Sequence, residues 1–180
     1  MLAKHLTAGL MLTLGWVGAN AQVTSSSEHG FVSTHELVLV GTPAAAYHAL
    51  TEQVHLWWDA SHSYGGDAAA FSLEAKAGGC FCERLANGGS VEHMRVVHAN
   101  PSTHLTMHGG LGPLQNLGVS GAMSFSFAAH DETKTTLRYT YVVGGFADGG
   151  LLGWADPVDR VQLGQLQRLQ QFLATGEPLN

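Results

Sequence analysis

The stretch that most constrains this chain lies near its C-terminus, where residues 156–174 carry apolar side chains at helical spacing. These apolar side chains are Val158, Val161, Leu166, Leu169, Phe172 and Leu173. Asp156 as N-cap and Pro157 at the first position predict where the helix begins, and Gly176 predicts where it ends. Because a helix with one apolar stripe must cover another apolar surface, and most of the preceding chain reads as strands, we expect this helix to lie on a sheet.

Composition limits the classes of function. The chain has 180 residues, which is the length of one domain, and 45% of them are hydrophobic. Charged residues make up 12%, the net charge is −6, and Lys and Arg form no cluster. Binding to nucleic acid needs clustered cations that displace counterions from phosphates. Nucleic acid is therefore excluded as an expected partner.

The first 21 residues have the pattern of a secretory signal peptide. Lys4 precedes an apolar run over residues 6–17, and Ala19-Asn20-Ala21 forms a small-x-small cleavage site. The run is shorter than the ~20 residues that span a bilayer, although an uncleaved anchor is the alternative. The sequence predicts cleavage after Ala21, a secreted or periplasmic protein, and no stable membrane insertion of the mature chain. Residues 22–30 read as a flexible polar tether, and residues 31–176 as the domain.

Strand patterns fill most of that domain. A first strand over residues 31–40 is followed by a short helix that Thr42 and Pro43 open. Six further strands are predicted over residues 71–75, 79–85, 90–98, 104–108, 118–128 and 133–143, separated by turn signals of hairpin length. Met123, Phe125 and Phe127 alternate with small or polar residues, so one face of the sheet is apolar. The predicted fold is α+β, an antiparallel sheet covered by the C-terminal helix.

This order of elements, together with short motifs, resembles the SRPBCC superfamily, which has the START-like or helix-grip fold. The matching stretches are residues 42–50 at the entry of the first helix, Trp57-Trp58 after it, residues 78–83 (Gly-Gly-Cys-Phe-Cys-Glu) and residues 96–105 around Pro101. The similarity is greatest to the polyketide cyclases and to the activators of a chaperone ATPase, and it covers residues 31–174. The resemblance implies a curved antiparallel sheet wrapped around the long helix, and a cavity between them for a hydrophobic or aromatic small molecule.

Candidates for the lining of that cavity come from side-chain alternation in the strands, from the two tryptophans after the short helix and from the apolar stripe of the C-terminal helix. They are Trp57, Trp58, Phe81, Met94, Val96, Met107, Phe125, Tyr139, Tyr141 and Leu166. A filled core is the alternative interpretation, because aromatic and Met-rich interiors are first of all cores. Glu83 and Glu92 are also predicted to point inward, and burial would fit either for acid–base chemistry. Pairing of Glu83 with a nearby arginine, or a place at the solvent rim, is the competing prediction.

Cys80 and Cys82 and the 11 histidines raise the question of redox and metal chemistry. Two residues apart in a strand, the cysteine Cα atoms should lie ~6.5 Å apart, near the upper limit for a disulfide. A metal or redox pair lacks a second ligand pair, so two small residues packed on the sheet is the favoured reading. His104 and His108 share a strand face but lie ~13 Å apart, too far for one ion. No metal and no cofactor is expected.

Three functions remain open on the sequence. The first is an exported, non-enzymatic protein that binds a hydrophobic or aromatic small molecule between the sheet and the C-terminal helix. The second is a cyclase- or dehydratase-like enzyme that uses Glu83 or Glu92 as general base and a tyrosine as proton donor. The third is a protein-interaction module. The sequence leaves the oligomeric state open.

Overall fold

The computed structural model describes residues 22–179. Within them, strands and helices follow the order β1 (Val23–Ser27), β2 (Gly30–Val40), α1 (Pro43–Glu52), α2 (Val54–Trp57), β3 (Phe71–Leu73), β4 (Cys80–Arg84), β5 (Ser90–Asn100), β6 (His104–His108), β7 (Gly118–Ala129), β8 (Lys134–Phe146) and α3 (Leu152–Thr175). Short 3₁₀ turns occupy Ala60–His62, Ala68–Ala70 and Gly112–Asn116. None of the helices in this part of the chain is both long and apolar enough to cross a membrane.

The eight strands form one sheet in the order β1-β2-β8-β7-β6-β5-β4-β3, with every neighbouring pair antiparallel. Two bulges bend β5, because its pairing skips one residue opposite β4 and another opposite β6. The sheet curves around α3, which lies on its apolar face. The predicted α+β helix-grip-like fold is confirmed.

The segment predicted as a flexible tether is instead part of the sheet. Residues Val23–Ser27 form β1, the edge strand, which pairs with the first half of β2 through a tight turn before Gly30. Four of its five side chains are exposed. The polar sequence reflects an edge strand whose side chains after Val23 are exposed, so the prediction of a tether over residues 22–30 was wrong.

Helix α3 begins one turn earlier than the sequence predicts. Leu151 precedes it without a side-chain cap, and Pro157 lies inside the helix rather than at its first position. Leu151 and Ala155 are fully or almost fully buried, so their packing holds the additional turn in place. The predicted end is confirmed: Gly176 is left-handed, and its N–H donates to the carbonyl of Phe172.

The core lies between the concave face of the sheet and α3. Its sheet side consists of the residues that alternation placed inward, from Phe81 in β4 to Tyr141 in β8, with the exception of Glu92. Its helix side contains Ala155, Asp159, Gln162, Leu163, Gln165, Leu166 and Leu169. Helices α1 and α2 close the end of this core, where Trp57 and Trp58 are buried.

Candidate functional site

A cavity of about 440 Å³ opens where the loops after α2 and β6 meet the first half of α3. We call it the mouth cavity. Its apolar lining is Trp58, Leu111, Pro113, Trp154, Pro157, Val158 and Val161. Its polar lining is Ser61, His62, Ser63, Tyr64, His93, Asn116 and Gln162, with Gly112 completing the wall. Binding sites for small molecules commonly have volumes of ~300–1,000 Å³ and mixed linings of this kind.

A second, inner cavity lies deeper, between the sheet and α3, and has a volume of only about 30 Å³. A space of that size holds a water molecule or two. Six of the predicted lining residues border it, namely Trp57, Trp58, Phe81, Met107, Phe125 and Leu166. Trp58 borders the mouth cavity as well. The interior that the sequence offered as a ligand site is therefore largely a filled core.

The other predicted lining residues are buried but border neither of these cavities. Met94 and Val96 lie in the core at 1% exposure. Tyr139 is equally buried, and burial raises the pKa of its phenol well above 10. Burial raises the pKa of Tyr141 to about 12, which keeps its hydroxyl protonated. That hydroxyl donates to the carbonyl of Gly109 and accepts from the N–H of Leu111, so it anchors one wall of the mouth cavity.

Glu83 is fully buried and contacts two residues that line the mouth cavity, Tyr64 and His93. Its two carboxylate oxygens accept hydrogen bonds from the backbone N–H groups of Tyr64, at 3.0 Å, and Gly65, at 2.6 Å. Nε2 of His93 lies 3.1 Å from Oε2 of the same carboxylate. The predicted alternatives, pairing with an arginine or a place at the solvent rim, are not what the structure contains.

The bulge in β5 explains why His93 lies inside and Glu92 outside. Phe81 pairs with Met94 but Cys82 pairs with Glu92, so His93 is the additional residue, and both His93 and Met94 point inward. Glu92 is exposed and forms an ion pair with Arg95. The prediction that Glu92 lines the interior was wrong, because it assumed unbroken alternation along the strand.

His93 has one nitrogen engaged and one free. Because the Glu83 carboxylate accepts from two backbone N–H groups, Nε2 of His93 is the natural donor to it, which leaves a lone pair on Nδ1. Nδ1 is buried and has no hydrogen-bond partner among residues 22–179. Burial lowers the pKa of His93, and the hydrogen bond and charge of Glu83 only partly oppose this. The ring is therefore neutral at pH 7, and its unpaired acceptor belongs to a residue that lines the mouth cavity.

Aromatic packing and loop contacts hold this pair in place. The His93 ring stacks on Phe71 at a centroid distance of 5.0 Å and lies 5.9 Å from the ring of Tyr64. The Tyr64 hydroxyl donates to the carbonyl of Gly112 or the side chain of Gln115, at 3.1 and 3.2 Å. The loop that supplies N–H groups to Glu83 is thereby linked to the loop after β6.

A second buried carboxylate lies on α3, away from the mouth cavity. Asp159 is fully buried, and its Oδ1 accepts from Ser33 at 2.5 Å and lies 2.9 Å from Nε2 of His35. Sequence reasoning missed this role of Asp159. Its place in the buried stripe Ala155, Asp159, Gln162, Leu166 was the available signal.

The Ser33, His35 and Asp159 side chains do not form a nucleophilic triad. Serine and aspartate both approach Nε2 of His35, with the serine oxygen at 3.5 Å, whereas a triad needs them on opposite ring nitrogens. The group is also sealed in the core and borders neither cavity described above. We interpret it as a buried polar contact that joins β2 to α3.

Cys80 and Cys82 are joined by a disulfide, whereas the sequence favoured two unpaired small residues. Their Cα atoms lie 5.4 Å apart, closer than the ~6.5 Å expected along a regular strand. The contraction occurs where β4 faces the bulge of β5. Unbroken strand geometry was the wrong assumption here as well.

Comparisons with known proteins support the fold. The sequence matches no protein-family model, and no curated protein shows a significant match. Similar solved structures include a conserved protein of unknown function from Enterococcus faecalis (12% identity, 85% of this chain and 77% of that chain, TM-score 0.60) and a protein from Mesorhizobium loti (19% identity, 79% and 96%, TM-score 0.57).

A further similar structure is DynU16, a putative protein in the dynemicin biosynthetic locus, at 18% identity and a TM-score of 0.56. The match covers 82% of this chain and 48% of DynU16. At these identities the likeness concerns the fold alone. The chain has a helix-grip-like fold that it shares with proteins of distant sequence.

Proposed function

We propose that the protein binds a small aromatic molecule carrying a hydroxyl group in the mouth cavity, with His93 accepting a hydrogen bond from that hydroxyl. The observation that carries the proposal is the unpartnered Nδ1 of a histidine that is 3% exposed and fixed through its other nitrogen by Glu83. A buried polar atom without a partner costs ~1–3 kcal/mol. A ligand that donates to Nδ1 would recover that cost.

The shape of the mouth cavity supports a flat apolar body for the ligand. Trp58 and Trp154 border it together with valine and proline side chains of α3. Aromatic side chains bind planar ring systems through stacking and edge contacts. Among residues 22–179, no lysine or arginine lines the mouth cavity, so an uncharged ligand fits better than an anion.

Membership of a superfamily and export from the cytoplasm are further parts of the proposal. The helix-grip-like fold and the motifs around Trp57-Trp58 and residues 78–83 favour membership of the SRPBCC superfamily. The basic start, apolar run and small-x-small site of residues 1–21, which lie outside the described residues, favour export and cleavage after Ala21. An exported binder of aromatic molecules would meet its ligand outside the cytoplasm.

Binding is tested with 2-naphthol, which has a hydroxyl, and naphthalene, which has none. The matched variant is His93→Gln, because an amide donor near the position of Nε2 preserves the partner of Glu83 while Nδ1 is lost. We expect the wild-type protein to bind 2-naphthol about tenfold more tightly than naphthalene, the worth of one hydrogen bond. His93→Gln should remove that difference. Equal affinity of the wild-type protein for both compounds, or an unchanged preference in the variant, would refute the proposal.

A second candidate function is enzymatic, and the Glu83–His93 geometry favours it specifically. A carboxylate that holds one nitrogen of a neutral histidine leaves the other nitrogen as a general base. DynU16 comes from a biosynthetic locus, which accords with a small-molecule substrate for this fold. In this candidate the base is His93, with Glu83 as its positioning residue, in place of the glutamate base expected from the sequence.

Proton abstraction is tested with 2-tetralone, a ketone with acidic C–H bonds, in deuterated buffer. If His93 removes a proton from the carbon next to the carbonyl, wild-type protein should accelerate deuterium incorporation over His93→Gln at equal concentration. Incorporation at the same rate with both proteins would exclude this chemistry and leave the binding function.

A further inference from the structure

The Cys80–Cys82 disulfide lies on the outer face of the sheet, on the strand that carries Glu83. Strand β4 alternates, so Phe81 and Glu83 point into the core while both cysteines are half-buried on the opposite face. The two cysteines are separated by a single residue, and a disulfide stabilises a fold less the shorter the loop it closes. A bond that adds little to the stability of the fold and that lies near solvent differs from a buried structural disulfide.

The charges opposite the two cysteines are different. In the pairing of β4 with β5, Arg95 is the cross-strand partner of Cys80, and Glu92 is the partner of Cys82. Directly paired residues lie on the same face, with Cβ atoms ~4.5–5.5 Å apart. Arg95 donates to the carbonyl of Gly78 at 2.9 Å and forms an ion pair with Glu92. A cation favours a thiolate and an anion disfavours it, so Cys80 is the better leaving group.

The disulfide also spans the point that positions His93. The pairing of β4 with β5 shifts between Phe81 and Cys82, and this shift makes His93 the additional, inward-pointing residue. The span from Cys80 to Cys82 is contracted to 5.4 Å between Cα atoms. Opening the disulfide would let β4 extend toward regular strand geometry, against the bulge that holds His93 inside.

We propose that Cys80–Cys82 is a thiol–disulfide exchange site for a dithiol reductant, and that its reduction moves His93 in the mouth cavity. In the first step a reductant thiolate attacks Sγ of Cys82, the protein S–S bond breaks, and Cys80 leaves as a thiolate beside Arg95. In the second step the remaining thiolate of the reductant attacks the reductant sulfur that is bonded to Cys82. This closes a disulfide within the reductant and releases the Cys82 thiolate. The protein gains two electrons and two protons, and the dithiol becomes a disulfide.

The first test follows reduction of the native protein. The folded chain is incubated with dithiothreitol without denaturant, alkylated with iodoacetamide and weighed intact, while far-UV circular dichroism reports the fold. We expect both cysteines to be alkylated while the fold is retained. Alkylation that appears only when the protein is unfolded by urea would overturn the exchange site.

Arginine variants sharpen this test. Arg95→Gln should slow reduction severalfold, because the leaving Cys80 thiolate loses its neighbouring cation. The matched control is Arg138→Gln, which removes another outward arginine, one paired with Glu36 at 2.7 Å in a different part of the sheet. Equal rates in wild type and both variants would refute the assigned role of Arg95 and the order of the two steps.

The effect on His93 is read independently of any ligand, so its outcome is separate from that of the proposed function. Imidazole resonances of His93 and His35 are compared by ¹⁵N nuclear magnetic resonance in oxidised and reduced protein. We expect reduction to shift His93 and to leave His35 unchanged, and Cys80→Ser/Cys82→Ser to reproduce the reduced spectrum. An unchanged His93 in reduced wild-type protein would overturn the coupling, whether or not the double variant folds.

Discussion

Two buried carboxylate–histidine pairs in this molecule have almost the same local geometry and different surroundings. Nε2 of His93 lies 3.1 Å from Glu83, and Nε2 of His35 lies 2.9 Å from Asp159, with both carboxylates fully buried. The Glu83 pair borders a cavity of about 440 Å³ and presents a free ring nitrogen on a residue of its lining. The Asp159 pair is enclosed by the core. The two pairs therefore share a local geometry and differ in whether one member lines a cavity.

The two pairs also differ in how the carboxylates are satisfied. Glu83 accepts two backbone N–H groups from the loop at residues 64–65, one on each oxygen, as well as His93. Asp159 places Ser33 and His35 on one oxygen, and its Oδ2 has no partner among residues 22–179. Backbone N–H groups hold the Glu83 carboxylate in place whatever side chains the loop carries, which suits a residue that orients His93. Asp159 instead ties two elements of the core together.

The largest effect is expected at the core pair. Asp159→Ala should lower the free energy of unfolding by ~2–6 kcal/mol, because it leaves the buried His35 and Ser33 side chains without their shared hydrogen-bond acceptor, at ~1–3 kcal/mol each. Urea denaturation measures the change. Asp156→Ala, an exposed aspartate on the same helix, is the control and should change stability by no more than ~0.5 kcal/mol. A loss below ~1 kcal/mol for Asp159→Ala would refute the core assignment.

A smaller loss of stability is expected at the cavity pair. Glu83→Gln keeps the shape of the side chain but replaces one carboxylate oxygen by an amide N–H₂ group. That group faces hydrogen-bond donors and cannot accept from them, so the free energy of unfolding should fall by ~1–3 kcal/mol. Hydrogen–deuterium exchange of the Tyr64 and Gly65 amides should become faster in the variant, because both groups lose a charged acceptor. Unchanged protection of these amides would contradict the backbone hydrogen bonds that the structure assigns to Glu83.

The pH dependence of binding follows from the lowered pKa of His93. A depressed pKa keeps Nδ1 unprotonated, so the affinity for 2-naphthol should be flat from pH 8 to the ordinary histidine value of 6.5. Below the lowered pKa, affinity should fall about tenfold per pH unit as the lone pair is lost. The free energy of unfolding should also decrease as pH falls from 6.5 to the lowered pKa of His93, because the unfolded chain takes up the proton first. Affinity that rises as pH falls through this range would contradict the assignment.

The smallest effect is expected at the glutamate that the sequence placed inside. Glu92→Gln should reduce stability by no more than ~1 kcal/mol, because the Glu92–Arg95 pair is solvent-exposed. It should leave the affinity for 2-naphthol unchanged, as measured by the same titration. This variant is the matched control for Glu83→Gln, since both remove one glutamate charge from neighbouring strands.

The sequence predicted the architecture well because the fold is built from periodic signals. Alternation in β7 and β8 and the helical stripe of α3 each follow from local sequence, and Thr42 caps α1 as expected, with its Oγ accepting from the N–H of Ala45. These signals depend on neighbouring residues in the chain. Most element bounds therefore agree with the predicted ones to within a few residues.

The candidate site could be predicted only in part, because its parts depend on breaks in periodicity. Glu83 was placed inside by alternation, but its backbone partners at residues 64–65 come from a loop without a periodic signal. His93 was missed because the bulge in β5 reverses the facing of His93 and Glu92, and no residue in that strand marks a bulge. The disulfide was missed for the same reason on the opposite strand. Long-range pairing, which no local pattern encodes, decides these positions.

The most direct test of the central claim is the protonation state of His93 and its response to a ligand. Long-range ¹H–¹⁵N spectra at pH 7, assigned by loss of the signals in His93→Gln, distinguish the two ring nitrogens. We expect a neutral ring with a proton on Nε2 and a bare Nδ1 whose resonance shifts when 2-naphthol is added, while His35 does not respond. A proton on Nδ1 at pH 7, or a His93 spectrum that saturating 2-naphthol leaves unchanged, would contradict this claim.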